Sequence, residues 1–377
     1  MSAAGPAPLR VTPGAGWADL GAPLTRLLAH EGGAVLVQTS GSTGRPKQVS
    51  LPARALRASG EATADVLGGH GQWLLALPTH HVAGLQVLAR SVLAGTAPVA
   101  LDSGAPFTVD SFAAAVARLD PDARRYASLV PTQVHRLLKD QVGVRALQGL
   151  DAVLLGGSAT DPDLLRSARQ TGVRVVTTYG MSETCGGCVY DGIPLPGVQV
   201  RIGAQQRIRL GGPVLADGYP EHPALSAERF VEDTDGRWFL TDDRGVLDPA
   251  DGRLTVLGRV DDVIVTGGHN VEPADVERAL RALPQVQDAL VVGVEDPEWG
   301  HRVAALVVPP DGAAGTTPTG PSVATLRSAL VLALPPHALP RQAEVVPALP
   351  LLESGKPDRA AARDLLAAGG RMDLHPH

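Results

Sequence analysis

Between residues 33 and 185 the chain alternates two kinds of apolar pattern, and this restricts its fold more than any other feature. The runs "GGAVLVQTS", "QWLLALPT", "YASLV", "LDAVLLGG" and "VRVVTTYG" are short and apolar, as buried strands are. Between them "PARALRASGEATADVLG", "VAGLQVLARSVLAG", "PTQVHRLLKD" and "DPDLLRSARQTG" carry helical spacing, with apolar residues three and four apart. Pro162 after Thr160 or Asp161, either a suitable N-cap, marks the start of the last of these helices. Strands apolar on both faces, separated by helices, call for a layered α/β domain with the sheet buried on both sides.

Near residue 190 the pattern changes. "VQVRI", "QRIRLGG", "RWFLTDD" and "GRLTVLGR" alternate over short lengths between Gly and Asp turns, which predicts a β-rich subdomain. After "GRVDDVIVTGGHNV" the α/β pattern returns in "EPADVERALRAL", "VQDALVVGVED" and "RVAALVVPP", and "PPDGAAGTTPTGPS" reads as a polar loop. These shifts place a boundary near residue 260, with a large domain over 1–260 and a small α+β domain over 261–377. A chain of 377 residues suits two or three domains.

Composition narrows the partners. Only 3% of residues are aromatic against 44% hydrophobic, so the cores must be built from Val, Leu and Ala. A formal charge of −6 with both signs interspersed argues against a nucleic-acid face. The longest apolar run, "VAGLQVLARSVLAGTAPVAL", is broken by Arg90 and Pro98, so no membrane span is expected. "MSAAGPAPLR" lacks a secretory pattern, and with two cysteines a cytoplasmic location is expected. Those two, Cys185 and Cys188 in "CGGC", fit a redox pair, half a zinc site, or two packed small residues. No second pair and no zinc-finger histidines accompany them.

The stretch "TSGSTGRPKQ", opening at Thr39, is where chemistry enters. Closely spaced glycines leave backbone N–H groups free to wrap an anion, Ser42 and Thr43 add donors, and Lys47 adds charge. A Walker loop needs a hydroxyl directly after its lysine, and here Gln48 stands there. The residues alone allow an anion loop or a plain surface turn.

"TSGSTGRPK" resembles the phosphate loop of the acyl-adenylate-forming superfamily. Further motifs follow in that superfamily's order: "LPTHH", "LLGGSA", "YGMSET", "WFLTDDRG" with "GRVDDVIVTGGHNVEPADVE", and "LPLLESGKPDR". The chain is thus similar to AMP-forming acyl-CoA ligases. The resemblance implies an adenylating-enzyme fold, with an AMP-binding domain over 1–260 and a mobile domain over 261–377 that carries a catalytic lysine. It implies nucleotide contacts at Thr39, Ser40, Gly41, Ser42, Thr43, Gly44, Gly157, Ser158, Tyr179, Gly180 and Ser182, and a catalytic role for Lys47. Glu183 matches the magnesium carboxylate, a hard oxygen ligand. Tyr179 matches the ring on adenine, although alone it reads as a core aromatic at a strand end. Asp243 matches the ribose carboxylate; Thr241-Asp242-Asp243 replaces the usual Thr-Gly-Asp, which puts the local turn in doubt and makes Asp242 a second candidate. Arg259 matches a ribose or phosphate contact, Asp261 the hinge, and Gly267 and Gly268 the thiol path. Lys356 matches the lysine that stabilises charge during adenylation. His81, with His80 beside it, matches a catalytic histidine at the acyl pocket, which it lines together with Gly84, Ser158 and Met181.

The compact length and "THHVAGLQVLARSVLAG" further resemble the o-succinylbenzoate–CoA ligases of menaquinone synthesis. That implies ATP, Mg2+ and coenzyme A, and a small carboxylic acid whose second carboxylate would meet His81 or Ser158. Another aryl- or acyl-CoA ligase is the alternative, then a nucleotide-binding protein without catalysis. No nucleic-acid or membrane partner is expected, and a homodimer is left open.

Overall fold

A computed structural model of the chain describes residues 7–30, 32–39, 47–102, 104–158, 160–310, 320–352 and 357–369. Strands β1 (Ala34–Thr39) and β2 (Lys47–Pro52) form an antiparallel hairpin in register from Ala34↔Pro52 to Thr39↔Lys47. Leu9–Arg10 runs parallel beside β1. Sequence reading anticipated β1 and overlooked β2. The alternation Gln48-Val49-Ser50-Leu51 was there to see, with Val49 and Leu51 fully buried, but the helical pattern starting at Pro52 masked it. Helix α1 (Ala53–Leu67) follows and stops at Gly68, whose φ of 93° an L side chain rarely adopts.

The main sheet holds β3 (Gln72–Leu75), β4 (Arg125–Leu129), β5 (Ala152–Leu155) and β6 (Val175–Met181), all parallel. Val99–Ala100 extends it beyond β3, and β7 (Gly186–Tyr190) pairs antiparallel with β6. Successive side chains on a strand point to opposite faces, and both faces are covered. Trp73, Leu75, Tyr126, Leu154 and Val176 join Leu56 of α1 and Leu85 and Leu88 of α2 (Val82–Leu93) in one core. Their neighbours Leu74, Ala127, Val153, Leu155 and Val175 join Phe112, Val134 and Leu137 in another. This explains why the strands read as unbroken apolar runs. Of the two N-cap candidates before Pro162 the structure selects Asp161, whose carboxylate accepts a bond from the Asp163 N–H at 2.7 Å.

The β-rich part is a five-stranded sheet built around β8 (Arg207–Gly211) and β9 (Gly236–Leu247), with β10 (Leu254–Arg259) paired to β9. Chain packing separates two compact units. One comprises 1–204, 208–241 and 247–255, and the other 205–207, 242–246 and 256–377.

In the second unit β11 (Asp288–Asp296) and β12 (Gly300–Val308) pair antiparallel along their whole length, and Gln342–Val345 lies parallel to β12. Alternation again feeds two cores. Val291, Val303 and Val307 pack with Val276 and Leu280 of α3 (Pro273–Arg281), while Leu290, Val292 and Leu306 pack with Ala362 and Leu366 of α4 (Arg359–Gly369). Among the described residues no helix is long and apolar enough to cross a membrane.

Candidate active site

At the end of β6 the chain passes through Tyr179-Gly180-Met181, turns over Ser182–Thr184 and returns as β7. The pairing register shifts between Tyr179 and Gly180, and a Cβ on Gly180 would sit 2.1 Å from the Gly186 carbonyl oxygen. Only glycine fits there. Thr184 closes the turn: its hydroxyl accepts from the Met181 N–H at 3.0 Å and donates to the Gly186 carbonyl at 2.8 Å. The preceding carbonyl, of Cys185, accepts from Ser59 of α1 at 3.3 Å and from Gln86 of α2 at 2.6 Å. Glu183 sits half-buried in this frame. Its main-chain oxygen accepts from the Ala216 N–H at 2.9 Å, and its carboxylate Oε1 accepts from the Tyr219 hydroxyl at 2.8 Å.

A carboxylate oxygen is the hard donor that magnesium takes, and magnesium commonly keeps only one or two such ligands beside phosphate and water. Glu183 suits that pattern. Among the described residues there is no group of three His, Cys, Asp or Glu that could hold a metal, so a single carboxylate is what this turn offers. The neighbouring cysteines are fully buried. Burial pushes the Cys188 thiol up to about 12 and the Cys185 thiol well above the ordinary range. Both therefore stay protonated at neutral pH, whereas redox and zinc chemistry need the thiolate. They pack as small apolar groups.

The Gly156-Gly157-Ser158 turn follows β5. A Cβ on Gly156 would fall 2.3 Å from the Thr178 hydroxyl, so this turn runs against the residue preceding Tyr179. Gly157 has φ 87°, and Ser158 is exposed. Tyr179 and Met181 are half-buried and pack on the main core. His81 is the N-cap of α2, with its ring 4.3 Å from that of His80. Gly84, read from sequence as lining the pocket, is buried in α2, where a Cβ would lie 2.2 Å from the Pro78 carbonyl oxygen. The structure thus supplies a packing reason for this glycine. Gly186 of β7 faces Gln86 and Val82 of the same helix, so α2 lies against the Glu183 turn.

The glycine-rich stretch joins β1 to β2. Thr39 and Lys47 face each other across the hairpin, and the Thr39 hydroxyl donates to the Lys47 carbonyl at 3.3 Å. Ser40, Gly41, Ser42, Thr43 and Gly44 lie outside the described residues, as does Lys356. On either side of the Lys356 segment, Leu351 bridges Pro357 and the Asp358 N–H donates to the Pro350 carbonyl at 2.9 Å.

In the second unit, Asp242 and Asp243 lie within β9, an extended strand in place of the turn in doubt. Arg259 stands 3.6 Å from Asp242, 3.8 Å from Asp243 and 3.6 Å from Asp261, and Arg207 lies 3.7 Å from Asp242. Asp261 is the most exposed of the three carboxylates, its side chain 63% accessible. Gly267 adopts φ 54°, and a Cβ on it would lie 2.6 Å from the Trp299 ring. Gly268 has φ 79° and open space around it.

Sequence reading missed three groups that hold these residues. Tyr219 sits in "DGYP", where no periodicity marks it. Arg207 lay in a strand segment read for its alternation. Arg359 ends the "LESGKPDR" motif, so its position was available although its partners were not. Its guanidinium reaches Asp262 at 3.1 Å, Glu277 at 2.8 Å and the Val291 carbonyl at 2.6 Å.

The AMP-binding enzyme family matches residues 13–215, and the AMP-binding enzyme C-terminal domain matches 275–356. A probable 2-succinylbenzoate–CoA ligase of Mycobacterium tuberculosis is 48% identical over 329 residues, covering 87% of this chain and 83% of that protein. The o-succinylbenzoate CoA synthetase (MenE) of Bacillus subtilis, solved with the acyl-adenylate intermediate, superposes with a TM-score of 0.73. It is 29% identical, with 88% of this chain and 69% of that chain covered; it has also been solved with ATP and magnesium ion. ATP-bound MatB from Rhodopseudomonas palustris gives a TM-score of 0.77 at 25% identity, covering 88% of this chain and 68% of that chain.

Proposed function

The chain belongs to the AMP-binding enzyme family, and on that premise we propose that it joins o-succinylbenzoate to coenzyme A at the expense of ATP. The 48% identity to the Mycobacterium tuberculosis ligase, spread over most of both chains, carries this conclusion. In the first step a carboxylate oxygen of the acid attacks the α-phosphorus, an O–P bond forms, and pyrophosphate departs. In the second the CoA sulfur attacks the acyl carbon, AMP departs, and the thiol proton passes to solvent or a nearby base. The product belongs to menaquinone synthesis.

Each residue has a part in this proposal. The β1–β2 loop from Thr39 to Gly44, with Lys47, grips the triphosphate through backbone N–H groups, hydroxyls and one cation. Glu183 presents the carboxylate for magnesium, and Ser182 and Gly180 set the turn around it. Magnesium, when bound, offsets the charge on the phosphates. Tyr179 and the 156–158 turn receive adenine, and Asp243 with Arg259 receives the ribose. Lys356 stabilises the charge that builds at the α-phosphate. His81, Ser158 and Met181 form the acid pocket, Asp261 is the hinge, and Gly267 and Gly268 pass the thiol. Residues 1–260 act as the adenylating domain and 261–377 as the small domain carrying Lys356. The enzyme works in the cytoplasm, and light scattering decides between monomer and homodimer.

Substrate is tested by offering o-succinylbenzoate, substituted benzoates and medium-chain fatty acids with ATP, Mg2+ and CoA while AMP release is followed. A clear preference for o-succinylbenzoate is expected. A preference for another acid removes the substrate and keeps the reaction, whereas ATP binding without AMP from any acid removes both.

A further inference from the structure

We propose that Tyr219 is a positioning residue for the Glu183 carboxylate, fixing its orientation for magnesium-dependent ATP binding. This rests on the assignment of Glu183 as the magnesium carboxylate. The Tyr219 hydroxyl donates to Glu183 Oε1 at 2.8 Å, and the tyrosine itself is 6% exposed. A hydroxyl bonded to one carboxylate oxygen restrains rotation about the terminal bond of the glutamate. The remaining ligand geometry is then set before any ion arrives.

The tyrosine can do this only if its own backbone is held, and it is. Ser226 accepts from the Tyr219 N–H at 2.8 Å and donates to the Tyr219 carbonyl at 3.1 Å. The preceding Gly218 has φ 138°, and a Cβ on it would press within 2.9 Å of the Ser226 hydroxyl. The ring packs edge-on against Phe230, with centroids 5.8 Å apart. Upstream, Ala216 donates to the Glu183 carbonyl, and Arg237 donates to the carbonyls of Ala216 and Asp217 at 2.7 and 2.8 Å.

The same segment is clipped to the strand that leaves the phosphate loop. Asp217 N–H donates to the Ser50 carbonyl at 2.8 Å, and Ser50 N–H donates to the Gly218 carbonyl at 3.0 Å. Arg54, at the start of α1, adds an ion pair to Asp217 at 2.6 Å. Residues 216–219 therefore tie β2 to the Glu183 turn within one unit. The metal carboxylate and the downstream root of the phosphate loop are registered to each other through this strap.

The test is ATP binding by calorimetry across a Mg2+ series, with no acid and no CoA present so that nothing turns over. In Tyr219→Phe the Mg2+ concentration for half-maximal ATP binding should rise about tenfold, the lower end for loss of an outer-shell partner. ATP affinity without divalent cation should stay unchanged, which a general packing defect would not produce. Glu183→Gln run beside it separates the two claims. If Glu183→Gln shifts the Mg2+ profile and Tyr219→Phe does not, the positioning role is overturned and Glu183 keeps its assignment. If neither shifts, both fall. Should Tyr219→Phe fail to fold, Ser226→Ala, which keeps the tyrosine and releases its backbone, is expected to shift the profile in the same direction. An unchanged profile in that variant would overturn the proposal.

Discussion

The two carboxylate sites are built to different tolerances. Around Glu183 the contacts to side chain and backbone are short: Tyr219 at 2.8 Å, Ala216 at 2.9 Å, Gln86 to the neighbouring carbonyl at 2.6 Å. Around Arg259 one guanidinium serves three carboxylates at 3.6–3.8 Å, two of them partly accessible and one largely exposed. Short, directional bonds in a partly desolvated turn fix a geometry. Long, shared ion pairs near solvent supply charge, are screened by salt and exchange partners cheaply. The magnesium role proposed for Glu183 would need the first kind, because that ion is strict about octahedral geometry. The ribose and hinge roles proposed for Asp243, Arg259 and Asp261 are compatible with the second.

The largest expected effect breaks this contrast at its rigid end. Glu183→Gln should lower acid-dependent pyrophosphate exchange by about 100-fold, the scale for removing a preorganised charge-stabilising group. Thiolation of supplied acyl-adenylate should change little, and equal loss in both half-reactions would count against a magnesium role. Lys356→Ala should show the same split for its own reason. Next comes Asp243→Ala, which should raise KM for ATP about tenfold, as loss of a charged hydrogen-bond partner does. Asp242→Ala should do less, because Asp243 alone is proposed to meet the ribose, while either variant leaves Arg259 two carboxylates. If the two aspartates lose equally, the assignment of the ribose to Asp243 over Asp242 fails.

Two further outcomes concern the frame. Gly180→Ala forces a Cβ onto the Gly186 carbonyl and should cost about 1–3 kcal/mol, read as a lowered melting temperature. The buried thiols make the smallest contribution. Their pKa is raised on folding, so the unfolded chain ionises first, and stability is lost as pH climbs past the ordinary thiol value of about 8.5. Cys188→Ala should flatten that alkaline decline, measured by denaturant melts at pH 8 to 10. In the native protein neither cysteine should react with a thiol reagent at neutral pH.

Much of the frame was legible beforehand. The strands β3 to β6 announced themselves because both faces are largely buried, which keeps their runs mainly apolar despite Ser128, Thr177 and Thr178. Helices α1 and α2 showed through their spacing. The return strand β2 did not, since six residues directly ahead of a helix give a short alternation little weight. Motif order nominated Glu183, Asp243, Arg259 and Lys356 for the roles proposed above, because chemistry constrains residue type at each step. Tyr219, Arg207 and the partners of Arg359 carried no comparable signal.

The sequence by itself determined the layered α/β class and the family, and it nominated the side chains proposed to handle phosphate, metal and acid. These depend on periodicity and residue type, which are local. Only the tertiary structure decided that Tyr219 meets Glu183 from 36 positions away and that 216–219 straps β2 to the Glu183 turn. It also decided that Asp242 and Asp243 share one arginine. A hydrogen bond between distant residues depends on how the chain is folded back on itself, and no local pattern encodes that.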